Sequence, residues 1–115
     1  MVASAYVDGQ LGPREGEDAL SVIPLNGHVR DLEAYETNAG NSVAGPPVAV
    51  AVTPDGRYAV VIETFTPRPD GDATGQTFAD LSHSNRLQVF DLADPTQPQR
   101  IQDVAIGEGR DLHVV

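Results

Sequence analysis

The sequence contains neither cysteine nor lysine among its 115 residues. Without cysteine the chain can form no disulfide and no thiolate metal site, and it has no cysteine nucleophile. All 7 basic residues are arginine, and no mechanism follows from that preference. The missing cysteine therefore excludes several kinds of site and leaves the redox environment of the protein open.

Long apolar runs are missing as well. No stretch approaches the ~18 consecutive apolar residues of a membrane-spanning helix. The N-terminal residues MVASAYVDGQ lack the basic segment followed by an apolar segment that is typical of a signal peptide. We therefore expect a soluble chain without a membrane partner, and these residues predict no signal peptide.

Positive charge is scarce. The 17 acidic residues outnumber the 7 basic ones, and the net charge is -10. Such a surface repels the phosphates of nucleic acids and anionic lipids, and it attracts cations or cationic partners. It also keeps a protein soluble without any ligand, which is the simpler interpretation of the same charge. The charge thus argues against nucleic acid as a partner, but it does not identify the partner that the protein binds.

The strongest local pattern is PPVAVAVTPDGRYAVV, from Pro46 to Val61. Two runs rich in valine and alanine flank a Thr-Pro-Asp-Gly turn, in which proline presets φ and glycine accepts a positive φ. This arrangement predicts a β-hairpin with strands of about Val48 to Thr53 and Arg57 to Thr64.

Other short apolar segments are separated by turn residues, which favours further strands. The predicted strands are Val2 to Val7, Ala19 to Leu25, Arg86 to Leu92, Arg100 to Ile106 and Leu112 to Val115. The segment HVRDLEAYETN after Asn26-Gly27 is ambiguous. Leu32 and Tyr35 suit a helical turn, whereas Leu32, Ala34 and Glu36 suit a strand. The internal repeat described next favours the strand.

The chain contains a partial internal repeat. ALSVIPL matches RLQVFDL, with Leu20 aligned on Leu87 and Leu25 on Leu92, and AGPPVAVAV matches GEGRDLHVV near the end of the chain. PPVAVAVTPDGRYAVV followed by NRLQVFDLADP resembles the repeat of the YVTN-type β-propeller family, which includes lactonase-like and cytochrome d1-like proteins. AYVDGQ and DALSVIPL resemble the tail of the preceding repeat.

The resemblance implies an all-β fold of four-stranded antiparallel blades. Residues 1–45 would end one blade, residues 46–106 would form a complete blade, and residues 107–115 would begin the next. Because propellers close with roughly 4 to 8 blades, we expect a fragment of a longer propeller or a chain that closes by self-association. The family is often exported, so the resemblance implies a periplasmic or extracellular location. The loop from Phe65 to Ser84 is far longer than its usual counterpart in the family.

Strand parity in a meander predicts which loops share a side. The TPDG turn and residues 93–99 fall on one side, and the long irregular loops fall on the other, where binding sites on rigid scaffolds usually lie. We call the second side the loop side. Its predicted acids are Asp8, Glu15, Glu17, Asp18, Asp70, Asp72, Asp80 and Glu108, and they are accompanied by Arg14, Arg68, Arg110 and His83.

Within the longest loop, DGDATGQTFAD partly resembles a calcium-binding loop, with a glycine at the sharp turn. The candidate calcium ligands are Asp70, Asp72, Thr74 and Asp80. Leu81 stands where an EF-hand has a bidentate glutamate, and no flanking helices are predicted. An ordinary solvated loop is therefore the favoured alternative.

Three functional hypotheses remain open. The first is a non-catalytic binding or interaction module that uses the acidic loop side to take a protein or small-molecule ligand. The resemblance also implies a lactonase-like hydrolase, for which Glu63, Arg110 and His113 are the polar residues on or near inner strands, or a propeller that carries haem or another redox cofactor. Since no nucleophile elbow, Walker loop or dinucleotide fingerprint is present, no residue is assigned a catalytic role.

Overall fold

A computed structural model describes residues 6–7, 10–11, 18–40, 49–66 and 77–107. These residues form three antiparallel sheets, and short 3-10 turns are the only helical elements in this part of the chain. The strands are β1 Tyr6–Val7, β2 Gln10–Leu11, β3 Ala19–Val22, β4 Tyr35–Asn38, β5 Val50–Val52, β6 Tyr58–Phe65, β7 His83–Asp91 and β8 Gln99–Ala105. The predicted all-β class is confirmed.

The TPDG hairpin joins β5 to β6. Val50 pairs with Val61 and Val52 with Ala59. Gly56 has a φ of 71°, in the left-handed region that glycine adopts without strain, and its backbone N–H donates to the Thr53 carbonyl at 2.8 Å. The predicted hairpin is therefore confirmed, with a first strand that ends one residue early at Val52.

The largest sheet is a four-stranded meander in the order β5-β6-β7-β8, with every neighbouring pair antiparallel. It lies within the residues predicted to form one complete blade. The predicted loop from Phe65 to Ser84 is too long at both ends, since Phe65 ends β6 while His83 and Ser84 belong to β7. The Phe65 and His83 rings stack with centroids 5.1 Å apart. This contact extends the strand pair beyond what local composition predicts.

The strands β3 and β4 form a separate antiparallel pair, with Val22 opposite Tyr35. The segment around Tyr35 is a strand as predicted, although the strand begins only at Tyr35 and a 3-10 turn occupies Val29–Asp31. The predicted strand from Ala19 to Leu25 ends at Val22. Pro24 explains this ending, because proline has no N–H to donate to a ladder.

The β3–β4 pair packs against one face of the four-stranded sheet, which we call the packed face. Ala59, Val61 and Phe90 are the buried core on this face, and Phe90 is fully buried. Leu20 and Ala39 of the β3–β4 unit contact the same cluster. Residues of the β3–β4 unit thus complete the small apolar core on the packed face.

Several predictions fall outside the described residues. They include the strand from Leu112 to Val115 and all but the last two residues of the strand from Val2 to Val7, of which Tyr6 and Val7 pair with Leu11 and Gln10. In the described part of the chain, no helix is long and apolar enough to cross a membrane.

Candidate functional site

Glu63 is the candidate residue that the structure places most clearly. It lies on the packed face near the end of β6, and only 4% of its surface is exposed. The Ser84 hydroxyl donates to its Oε1 at 2.6 Å. Ser84 is itself buried, on the neighbouring strand. A buried carboxylate is costly unless hydrogen bonds satisfy it, so Ser84 is the partner that makes this position tolerable for glutamate.

A second buried polar contact lies beside it. Gln88, 2% exposed, accepts a hydrogen bond through its Oε1 from the backbone N–H of Gly40 at 2.6 Å. A Cβ added to Gly40 would lie 2.6 Å from the Glu63 Cβ. Only glycine permits so close an approach of the two backbones. We call Gly40, Glu63, Ser84 and Gln88 the polar seam, because they join the end of β4 to the packed face.

An ion pair extends the seam towards solvent. Arg86 lies opposite Glu63 in the strand register, and its guanidinium makes a two-point contact with the Asp103 carboxylate on β8. The hydrogen bond to Asp103 raises the pKa of Arg86, and the Asp103 and Glu63 charges add to this effect. Arg86 therefore stays cationic beside the buried carboxylate.

The seam is built for packing. Glu63 is covered by the Gly40 backbone and bound to Ser84, so this face offers a substrate little access to its carboxylate. The sequence placed Glu63 among the candidate catalytic residues but missed its partners Ser84, Gln88 and Gly40. The other two catalytic candidates, Arg110 and His113, lie outside the described residues.

Of the candidate calcium ligands, the structure describes only Asp80. Its Oδ2 accepts hydrogen bonds from the backbone N–H and the hydroxyl of Thr77, at 2.8 and 2.9 Å. These bonds cap the 3-10 turn Phe78–Asp80 and lower the pKa of Asp80. The motif Thr-Phe-Ala-Asp has capping-box spacing. This signal is visible in the sequence, although no cap was predicted from it.

Asp70, Asp72 and Thr74 lie outside the described residues. Within the described ranges, no three acidic, histidine or cysteine side chains form a group able to hold a metal ion.

Hydrogen bonds extend three strand pairs at the ends that parity assigns to the loop side. Ala39 N donates to the Asp18 carbonyl at 3.1 Å, Thr66 N to the Ser82 carbonyl at 2.9 Å and Ile106 N to the Asn85 carbonyl at 2.8 Å. Gly40, just beyond β4, lies against Glu63 near the end of β6. Of the charged residues predicted on this side, Asp18, Asp80 and His83 are described, and His83 is exposed.

The opposite end, which we call the turn side, holds acids in local hydrogen bonds. Asp55 accepts from the Thr53 hydroxyl and from Arg57 N, and Asp94 accepts from the hydroxyl and N–H of Thr96. These bonds lower the pKa of both aspartates.

Tyr35 belongs to the same end of the molecule. Its hydroxyl donates to Glu33 at 2.7 Å, and this bond raises the pKa of Tyr35, with a smaller effect from the charge of Asp94. Tyr35 begins β4, at the end of the strand opposite Gly40.

Comparisons of the chain with protein-family models, curated proteins and solved structures find no match.

Proposed function

We propose that this chain is a non-catalytic binding module built from propeller blades of the YVTN type, and that its acidic loop side takes a cationic ligand or partner. The four-stranded meander with a second sheet packed on its face supports the blade assignment. Propeller blades are four-stranded sheets repeated around a central channel.

The observation that carries the proposal is the shared direction of the strand ends. The segments before β3, after β4, after β6 and after β8 begin or end at one side of the molecule. Irregular segments that leave a rigid sheet on one side form the usual setting for a binding surface. The excess of acids in the connected segments, within a net charge of -10, favours a cation.

The geometry of Glu63 favours this proposal over a lactonase-like hydrolase. A general base must reach the proton that it abstracts, and the Glu63 carboxylate is bound to Ser84 under the Gly40 backbone. A role in sheet packing accounts for its burial and its partners.

Binding of an oligo-lysine peptide, measured by titration calorimetry at low ionic strength, tests the proposal. We expect binding by the native chain and loss of binding when Asp70 and Asp72 are both changed to asparagine. Asp31→Asn with Glu36→Gln is the matched control, since it removes the same charge from exposed positions of the β3–β4 unit. Equal losses in both double variants would show a diffuse charge effect and contradict a site on the loop side.

Calcium chloride is titrated in a parallel experiment. Heat that disappears in Asp70→Asn would assign the loop from Asp70 to Asp80 to calcium. Heat that persists in this variant would contradict that assignment. Oligo-lysine binding and calcium binding are measured separately, so a cationic partner and a calcium ion can be distinguished as ligands.

The blade assignment also predicts self-association or a longer parent protein. Both outer strands of the four-stranded sheet, β5 and β8, lack a further strand partner among the described residues. Three or four copies would supply the roughly 6 to 8 blades at which many propellers close. Light scattering after gel filtration, with circular dichroism on the same peak, would show a β-rich trimer or tetramer. A folded monomer would contradict closure by self-association.

A further inference from the structure

The dipeptide Asn26-Gly27 lies in the connection between β3 and β4, outside any strand or 3-10 turn. Both residues are exposed, and a Cβ added to Gly27 would meet no atom within 4 Å. Neighbouring Leu25 and Val29 are each 83% exposed. Asn26, Gly27 and their neighbours are therefore exposed to solvent.

An asparagine followed by glycine carries an intrinsic reaction. The backbone nitrogen of the glycine attacks the side-chain Cγ of the asparagine, the Cγ–Nδ2 bond breaks, and ammonia leaves with the proton of the attacking nitrogen. A five-membered succinimide results. Water then adds across either carbonyl–nitrogen bond of this ring, and the product is aspartate or isoaspartate. Glycine offers the least hindered nitrogen because it has no Cβ, and its backbone rotates most freely.

The other described asparagines are held in strands. Asn38 ends β4, and the nitrogen that follows it, Ala39 N, already donates to the Asp18 carbonyl. Asn85 lies inside β7, and its carbonyl accepts from Ile106 N. Within the described ranges, no hydrogen bond is made by the Asn26 side chain or by Gly27 N. Among the asparagines that the structure describes, only Asn26 has both a following backbone nitrogen that donates no hydrogen bond and an irregular backbone.

The Asp55-Gly56 pair shows how the fold blocks the same ring closure elsewhere. Gly56 N donates to the Thr53 carbonyl at 2.8 Å, and the Asp55 carboxylate accepts from Thr53 and Arg57 N. The Gly56 nitrogen is held in a hydrogen bond, and the Asp55 carboxylate stays charged. A charged carboxylate is a poor electrophile. Asn26-Gly27 has neither protection.

We propose that Asn26 is a site of spontaneous deamidation, in which ring closure with Gly27 converts it to aspartate or isoaspartate. The product adds one negative charge to a chain whose net charge is already -10. It does so among the exposed apolar side chains of Leu25 and Val29. An isoaspartate would also lengthen the backbone of this connection by one carbon.

Peptide mapping tests the proposal on the intact chain. Trypsin cleavage after Arg14 and Arg30 releases residues 15–30, in which Asn26 is the only asparagine. After incubation at mildly alkaline pH, mass spectrometry should show this fragment gaining the mass of an amide-to-acid change and splitting into two chromatographic peaks. The fragments that carry Asn38 and Asn85 should show no conversion at these two positions over the same time.

Gly27→Ala is the matched variant, because the open space at Gly27 admits a methyl group. We expect an unchanged circular dichroism spectrum and conversion of Asn26 that is at least several-fold slower. The native chain should convert at nearly the same rate as the chain unfolded in urea. Conversion confined to the unfolded chain, or equal conversion at Asn38 in the folded chain, would overturn the proposal.

Discussion

The polar seam and the turn side use the same chemical pair in opposite surroundings. In the seam, the Ser84 hydroxyl donates to Glu63, and both side chains are buried. On the turn side, the Thr53 hydroxyl donates to Asp55 at an exposed position. Water can replace the partner of an exposed carboxylate but not of a buried one. The same kind of hydrogen bond therefore specifies sheet packing in the polar seam, whereas on the turn side it only stabilises a local turn.

Gly40→Ala gives the largest predicted effect on this comparison. The added Cβ would lie 2.6 Å from the Glu63 Cβ, so the end of β4 must move away and lose its hydrogen bond to Gln88. We expect the free energy of unfolding to fall by about 3 kcal/mol, measured by urea denaturation. Gly27→Ala is the control, since its Cβ meets nothing. Equal effects of the two variants would contradict the close approach at Gly40.

Truncation of Glu63 cannot rescue Gly40→Ala, because the atom in contact is the Glu63 Cβ itself. The double variant Gly40→Ala with Glu63→Ala should therefore remain as unstable as the single one. Restored stability would instead show that the long glutamate side chain, and not the backbone approach, requires glycine here.

Ser84→Ala should come second. It leaves the buried Glu63 carboxylate without its donor, and an unsatisfied buried group costs about 1–3 kcal/mol. Urea denaturation measures the loss. Thr96→Ala is the exposed equivalent on the turn side, where the Thr96 hydroxyl donates to Asp94, and it should cost clearly less. If Thr96→Ala proved the more damaging change, burial would not govern the value of these bonds.

The loss of stability in acid should depend on the capping aspartates, with an effect smaller than that of Ser84→Ala. Hydrogen bonds lower the folded-state pKa of Asp55, Asp80 and Asp94 below their ordinary value. Their contribution is complete above the unfolded pKa and is lost as the pH falls through the folded pKa. The triple asparagine variant should thus show a flatter decline of thermal stability in acid, measured by calorimetry. An unchanged decline in acid would contradict the capping role.

Much of the fold follows from local sequence. The TPDG turn, with proline and glycine at positions that suit their φ angles, is sufficient to predict the hairpin between β5 and β6. Alternation predicts β7 and β8 within a few residues. Local patterns did not predict where β6 ends and β7 begins, because the Phe65–His83 stacking that prolongs both strands joins residues distant in sequence.

The polar seam was less accessible to prediction. Glu63 is noticeable in the sequence as a charge at the end of an apolar run, but its burial depends on Gly40, which approaches from another sheet. Ser84 and Gln88 look like ordinary polar strand residues. Capping by Asp80 is different, since its Thr-x-x-Asp spacing is visible in the sequence. Contacts within a turn are local and predictable, whereas contacts between sheets depend on how the whole chain packs.

Arg57→Gln should produce the smallest effect. The Arg57 guanidinium lies 3.6 Å from the Asp91 carboxylate and 5.2 Å from the centre of the Tyr58 ring. Its side chain is 55% exposed, so solvent and salt weaken the pair, and such surface pairs contribute about 0–1 kcal/mol. We expect a decrease in the free energy of unfolding near the lower end of that range, which shrinks further in high salt. A loss as large as that of Ser84→Ala would mean that exposure does not set the strength of polar contacts in this protein.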